Sequence, residues 1–107
     1  MSNNTHYITL IQSISKYKLV ISESRSQNTA RSYSQAMSKF VTLLNDRNIN
    51  TETTPITTCN ESWIIDFIGQ LRNYSPATEQ LYLTAVAGYY EFLASEYELS
   101  LNLARVR

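Results

Sequence analysis

The 107-residue chain carries nine basic and nine acidic side chains, for a net charge of zero, with 43% hydrophobic and 11% aromatic residues. That length suits one domain with one modest core, and the composition excludes a disordered chain and, with only two glycines and two prolines, disfavours a turn-rich β fold. A single cysteine, Cys59, excludes an internal disulfide and points to a reducing compartment, the cytoplasm; no apolar run reaches the roughly 20 residues of a membrane span, and MSNNTHYITL lacks the marks of a signal peptide.

The first predicted helix runs from about Thr5 to Ile21, because Tyr7, Leu10, Ile11, Ile14, Tyr17 and Ile21 fall on one face at helical spacing. Lys16 and Lys18 flank that face near the C-terminal end, where positive charge suits the helix dipole. His6 is the single histidine and has no cysteine or carboxylate at ligand spacing, so it reads as a surface residue; no metal site and no cofactor are expected. A polar connector, residues 22–27, follows.

The second helix is predicted over Gln27 to Asp46 with Ser26 as its N-cap. Its buried stripe is Ala30, Tyr33, Met37, Phe40, Val41 and Leu44; opposite lie Arg31, Ser32, Gln35, Ser38, Lys39 and Thr42. That outer face has two positive charges, no negative charge and short hydrogen-bonding side chains. It suits a solvated face, or a helix lying on a phosphate backbone or in a major groove.

Residues 47–55 read as a loop that Ile49 pins to the core. Thr58 and Glu61 have the spacing of a capping box, which starts a third helix with Trp63, Ile64, Phe67, Ile68 and Leu71 inward and an inert Cys59 in its first turn. The fourth helix opens at Ser75-Pro76, a cap followed by proline at the first helical position. Tyr82, Ala85, Val86, Tyr89, Leu93 and Tyr97 form its apolar face, while Gln80, Thr84, Ala87, Gly88 and Glu91 lie opposite. Gly88 costs a helix roughly 1 kcal/mol relative to alanine, so a close approach by another helix or by a ligand backbone is expected there. Beyond Glu98 the amphipathic pattern lapses into a tail or linker carrying Arg105 and Arg107.

The second and fourth helices repeat one design 49 residues apart. Ser26 matches Ser75, Thr29 matches Thr78, Tyr33 matches Tyr82, Ala36 matches Ala85, Phe40 sits opposite Tyr89, and Leu44 matches Leu93. Charge is also divided. Residues 1–47 hold six basic groups against two acidic, net +4, whereas residues 48–104 hold one basic against seven acidic, net −6. A basic half can attract a polyanion although the total is neutral.

The order of four helices, the Ser26-x-Asn28-Thr29-x-x-x-Tyr33 opening, and Ser75-Pro76-Ala77-Thr78 followed by Tyr89-Tyr90-Glu91-Phe92-Leu93 resemble the N-terminal core-binding domain of tyrosine recombinases, or phage integrases. The resemblance covers about residues 5–103. It implies an all-α, SAM-like bundle of four or five helices over 1–103, with 104–107 starting a linker to a C-terminal catalytic domain of the same parent chain. Where the family often has Asn-Pro before that linker, this chain has Asn102-Leu103. The resemblance further implies a domain that closes over one face of duplex DNA during integration or recombination, alongside other recombinase protomers and with no membrane partner.

By motif position the Ser26 and Ser75 helices would meet the DNA. Ser26, Thr29, Ser75 and Thr78 sit at helix N-termini, where hydroxyls and free N–H groups hold phosphate oxygens or serve only as caps. Arg31 and Lys39 would supply charge, Gln35 and Gln80 would reach base edges, and Ser32 and Thr84 would complete the two faces. The fourth helix departs from a DNA-facing pattern, since its outer face has no lysine or arginine and carries Glu91. Strand cleavage in the family uses a tyrosine aided by arginines, a histidine and a lysine of the catalytic domain, and no such motif is present, so no catalytic residue is assigned. If three to five of Lys16, Lys18, Arg25, Arg31 and Lys39 meet phosphates, the slope of log K against log salt is roughly −3 to −4.5. The competing class is a helical protein–protein interaction module, or a structural domain of an unrelated regulator, either of which would lack salt-sensitive DNA binding.

Overall fold

The computed structural model describes residues 7–101, and within them the chain is 76% helical. Four α-helices follow in order: α1 (Leu10–Ser24), α2 (Gln27–Asp46), α3 (Glu61–Gln70) and α4 (Pro76–Glu96), with short 3-10 turns at Ile56–Thr58 and Leu71–Asn73. Among the described residues no strand forms, only an isolated bridge between Thr9 and Pro55. The all-α bundle expected from the sequence is the observed fold.

The matched helices α2 and α4 pack on each other, with α1 against both and α3 closing the far side. Their shared sequence pattern becomes shared structure. In each, the cap serine accepts from the threonine N–H at 3.2 Å and donates to that threonine's hydroxyl at 3.0 Å, Ser26 with Thr29 and Ser75 with Thr78. Tyr33 and Tyr82, Ala36 and Ala85, Phe40 and Tyr89, and Leu44 and Leu93 are buried in corresponding pairs. Phe40 is the hub, with its ring edge-on to Phe67 at 5.6 Å and to Tyr89 and Tyr90 at 6.3 Å.

The core is tyrosine-rich, and each deeply buried phenol finds an acceptor, as burial requires. Ser13 donates to the Leu10 carbonyl and shares a 2.6 Å hydrogen bond with Tyr89; Tyr17 donates to the Ala85 carbonyl at 2.7 Å, and Tyr90 to the Asn60 carbonyl at 2.5 Å. Burial raises the pKa of all three phenols, keeping them neutral donors.

Several boundaries differ from the sequence expectation, each for a tertiary reason. Helix α1 begins at Leu10 rather than about Thr5, because Thr9 and Gln12 form a capping box and the 50–55 loop supplies acceptors for the first free N–H groups. Leu10 N–H donates to the Thr54 carbonyl and Ile11 N–H to the Thr51 carbonyl, both at 2.9 Å. Thr5 and His6 lie outside the described residues. The Thr58–Glu61 box does not form: Ile56 is buried, the chain makes a 3-10 turn through Thr58, and Asn60 caps α3 through the Ser62 N–H at 2.9 Å. Cys59 therefore precedes the helix and is buried, which pushes its thiol up to about 12. Trp63, Ile68 and Tyr97 are only partly buried, whereas Tyr90, which the apolar stripe omitted, is fully buried.

Ile49 holds the loop as expected. Helix α2 ends in a Schellman pattern, with Asn48 N–H donating to Asn45 O and Ile49 N–H to Leu44 O, both at 2.9 Å; Asn48 takes the left-handed conformation (φ 64°) that this motif needs. Leu99 and Leu101 pack against the core, so the chain stays docked after α4. The proposed linker, residues 104–107, lies outside the described residues.

Gly88 fits the expected close approach. A Cβ there would lie 2.5 Å from the Tyr17 phenol oxygen and 3.6 Å from the ring carbon bearing it. Gly88→Ala is expected to destabilise by about 1–2 kcal/mol, the overpacking penalty exceeding the helix-propensity gain of about 1 kcal/mol. In a Tyr17→Phe background the clashing oxygen is gone, so the same substitution should be neutral or stabilising. Urea denaturation of the single and double variants measures this coupling; additive effects would remove the phenol as its cause.

Candidate nucleic-acid interface

The residues singled out from sequence lie at the two caps and on the outward faces of α2 and α4. Ser26, Arg31, Gln35, Lys39, Ser75, Gln80 and Thr84 are exposed, while Thr29, Ser32 and Thr78 are half-buried. The cap hydroxyls are not free groups. Each serine is engaged with its threonine, so a phosphate at either helix start would meet the threonine hydroxyl and the remaining first-turn N–H groups.

Three stations divide this surface. The first is a shallow furrow between α1 and α2 where Arg31 lies with Lys18, Leu19, Gln27 and Ser34. Arg31 also donates to the Asn28 side chain at 3.3 Å, which holds the guanidinium along the helix start. Its lining residues include two cations and no carboxylate.

The second station joins α2 to the foot of α4. Lys39 lies over the Tyr74 ring, 5.3 Å from its centroid, and Tyr74 in turn packs on Tyr82 at 5.7 Å. The neighbouring Tyr74 phenol raises the Lys39 pKa. Tyr74 was not among the sequence candidates. Its position just ahead of the cap was visible, but its contact with a lysine 35 residues earlier is a product of tertiary packing.

The third station is a groove of about 540 Å³ where the C-terminal end of α1 and Tyr33 of α2 meet the polar face of α4. Gln80, Thr84, Gly88 and Glu91 line one wall and Arg25 the other. The Gln80 amide donates to Thr84 at 3.5 Å. Arg25 was counted among the basic groups but not among the site residues; the sequence places it in a connector, with no indication that it borders α4.

Lys16 does not join this surface. It is paired with Glu96 at 2.5 Å and sits 5.9 Å from the Tyr97 ring, so its charge is already matched by α4. Arg47 is likewise paired, with Asp66 of α3 at 2.5 Å. Among the described residues no group of three or more histidine, cysteine, aspartate or glutamate side chains could hold a metal ion, and no helix is long and apolar enough to cross a membrane.

Comparison with known families gives one assignment over this architecture. The family model described as phage integrase, N-terminal SAM-like domain, matches residues 14–97, from the middle of α1 to the C-cap of α4. No curated protein and no solved structure matches the chain.

Proposed function

The chain belongs to the family of phage integrase N-terminal SAM-like domains, and from that premise we propose that it binds duplex DNA, closing over one face of the helix during integration or recombination. The observation that carries this reading is the outer face of α2. It exposes Arg31, Gln35 and Lys39 with no carboxylate between Ser26 and Asn45, and its N-terminal cap matches that of α4, which packs beside it. Cations hold phosphates, and glutamines can pair with adenine edges in the major groove.

Chemistry on the DNA is assigned to a separate catalytic domain of the parent protein, not to these residues. A tyrosine nucleophile needs an accessible phenol whose anion is stabilised by neighbouring cations. Tyr17, Tyr89 and Tyr90 are buried donors with raised pKa values, which removes these three of the eight tyrosines as nucleophiles. Other recombinase protomers on the same DNA complete the proposed set of partners.

Since Lys16 is tied to Glu96, Lys18, Arg25, Arg31 and Lys39 remain as the proposed phosphate contacts. With three or four of them engaged, log K should fall against log salt with a slope of roughly −2.7 to −3.6, about 0.9 per phosphate. Fluorescence anisotropy of labelled duplex DNA, titrated with the 107-residue chain at several salt concentrations, measures that slope. A chain that leaves duplex DNA unbound at low salt overturns the reading.

A further inference from the structure

Helix α4 presents a polar face without a cation: from Pro76 to Glu96 it contains no lysine or arginine, yet it carries Gln80, Thr84 and Glu91 outward. A helix of that kind has no charge of its own to hold a phosphate near the bases it would read. The fold brings one from elsewhere. Ser13 meets Tyr89 and Tyr17 meets Ala85, which docks α1 on α4. The C-terminal end of α1 lines the groove on the polar face of α4, where Arg25 shares the lining with Gln80 and Thr84.

Its backbone is well placed to aim a side chain. Arg25 is the C-cap of α1, its N–H donating to the Ile21 carbonyl at 2.9 Å, and the next residue, Ser26, is the N-cap of α2. Two helix ends therefore fix its Cα while the side chain remains exposed. The charges of Arg25 and Glu91 both act on the groove floor: burial raises the Tyr17 phenol, Arg25 offsets that rise, and Glu91 adds to it.

We propose that Arg25 supplies α4 with the cation it lacks, holding the DNA phosphate next to the base that Gln80 contacts, so that Arg25, Gln80 and Thr84 act on DNA as one unit. This rests on the DNA-binding reading and extends it to the specificity of α4. Arg25 is a phosphate-binding residue in its own right and a positioning residue for Gln80. Arg31, in the separate α1–α2 furrow, serves as the internal control.

The test is a double-mutant cycle on duplex binding by the full 107-residue chain, read by anisotropy at several salt concentrations. Arg25→Ala should weaken binding about tenfold near 0.1 M salt and make the salt slope shallower by about 0.9, and Arg25→Lys should restore the slope. Gln80→Ala should weaken binding in the parent but by less than about twofold once Arg25 is gone, whereas Arg31→Ala and Gln80→Ala should combine additively. Circular dichroism of Arg25→Ala should match the parent, because alanine keeps the C-cap N–H. An Arg25→Ala variant with unchanged slope, or one additive with Gln80→Ala, overturns the proposal while leaving DNA binding intact. A parent chain that does not bind duplex DNA overturns both.

Discussion

Replacing Phe40 with alanine is expected to destabilise the domain by about 3–5 kcal/mol, the range for deleting a buried aromatic ring. Phe40 is fully buried on α2 and touches rings from both other helices that close the core, Phe67 of α3 and Tyr89 and Tyr90 of α4. Removing it loses the transferred apolar surface and leaves a cavity that three helices must collapse around. A domain of this size has a net stability of roughly 5–15 kcal/mol, so the variant sits near the edge of folding. Denaturant unfolding followed by circular dichroism gives the difference directly. Phe40→Leu, which keeps most of the volume, should recover much of the loss. A Phe40→Ala domain as stable as the parent would contradict a single core centred on this ring.

Reversing two charges on α2, Arg31→Glu with Lys39→Glu, is expected to lower affinity for duplex DNA by roughly 100-fold or more at low salt. Two attractive phosphate contacts are lost and two repulsive ones replace them. Both side chains are exposed and lie opposite the buried stripe, so the fold has little stake in them. The stacking of Lys39 on Tyr74 is the main interaction lost, at about 0.5–1 kcal/mol for an exposed cation–π contact. Unfolding transitions should therefore stay close to the parent while binding disappears. Gln35→Ala on the same face should behave differently, shifting preference among DNA sequences more than overall affinity, because an amide reads base edges and a lysine holds phosphate. If the charge-reversed chain binds as well as the parent, α2 is not the docking helix. If neither binds, the interaction-module reading takes its place.

The proposed phosphate-binding stations were legible from the chain to different degrees. Arg31, Gln35 and Lys39 were placed on one outer face by spacing alone, since α2 is strongly amphipathic and its bounds follow from the Ser26 cap. For α4 the same logic found Ser75, Gln80 and Thr84 but left the face without a cation. The count of basic groups included Lys16, which the fold pairs with Glu96, and gave no particular weight to Arg25, which the fold sets on the groove that Gln80 lines.

The chain itself determined the elements that depend on neighbours in sequence. The twin Ser-x-x-Thr caps, the proline that opens α4, the bounds of α2 and the repeat between two helices all rest on contacts within about one helical turn, and they stand in the fold as read. The apolar stripes hold in part: Tyr7 is exposed, Trp63, Ile68 and Tyr97 are half-buried, and Tyr90 was missed. Tertiary structure decided whatever depends on residues far apart. Helix α1 starts at Leu10 because loop carbonyls from Thr51 and Thr54 meet its first N–H groups, and α3 starts after Asn60 because Ile56 is drawn into the core. Gly88 is needed because a phenol from α1 occupies the space a side chain would take. Local spacing fixes which face of a helix is apolar, but it carries no information about which neighbour crosses it or where that neighbour's charges end. Those follow from how α1 docks on α4, through the Ser13–Tyr89 and Tyr17–Ala85 hydrogen bonds between residues 76 and 68 positions apart.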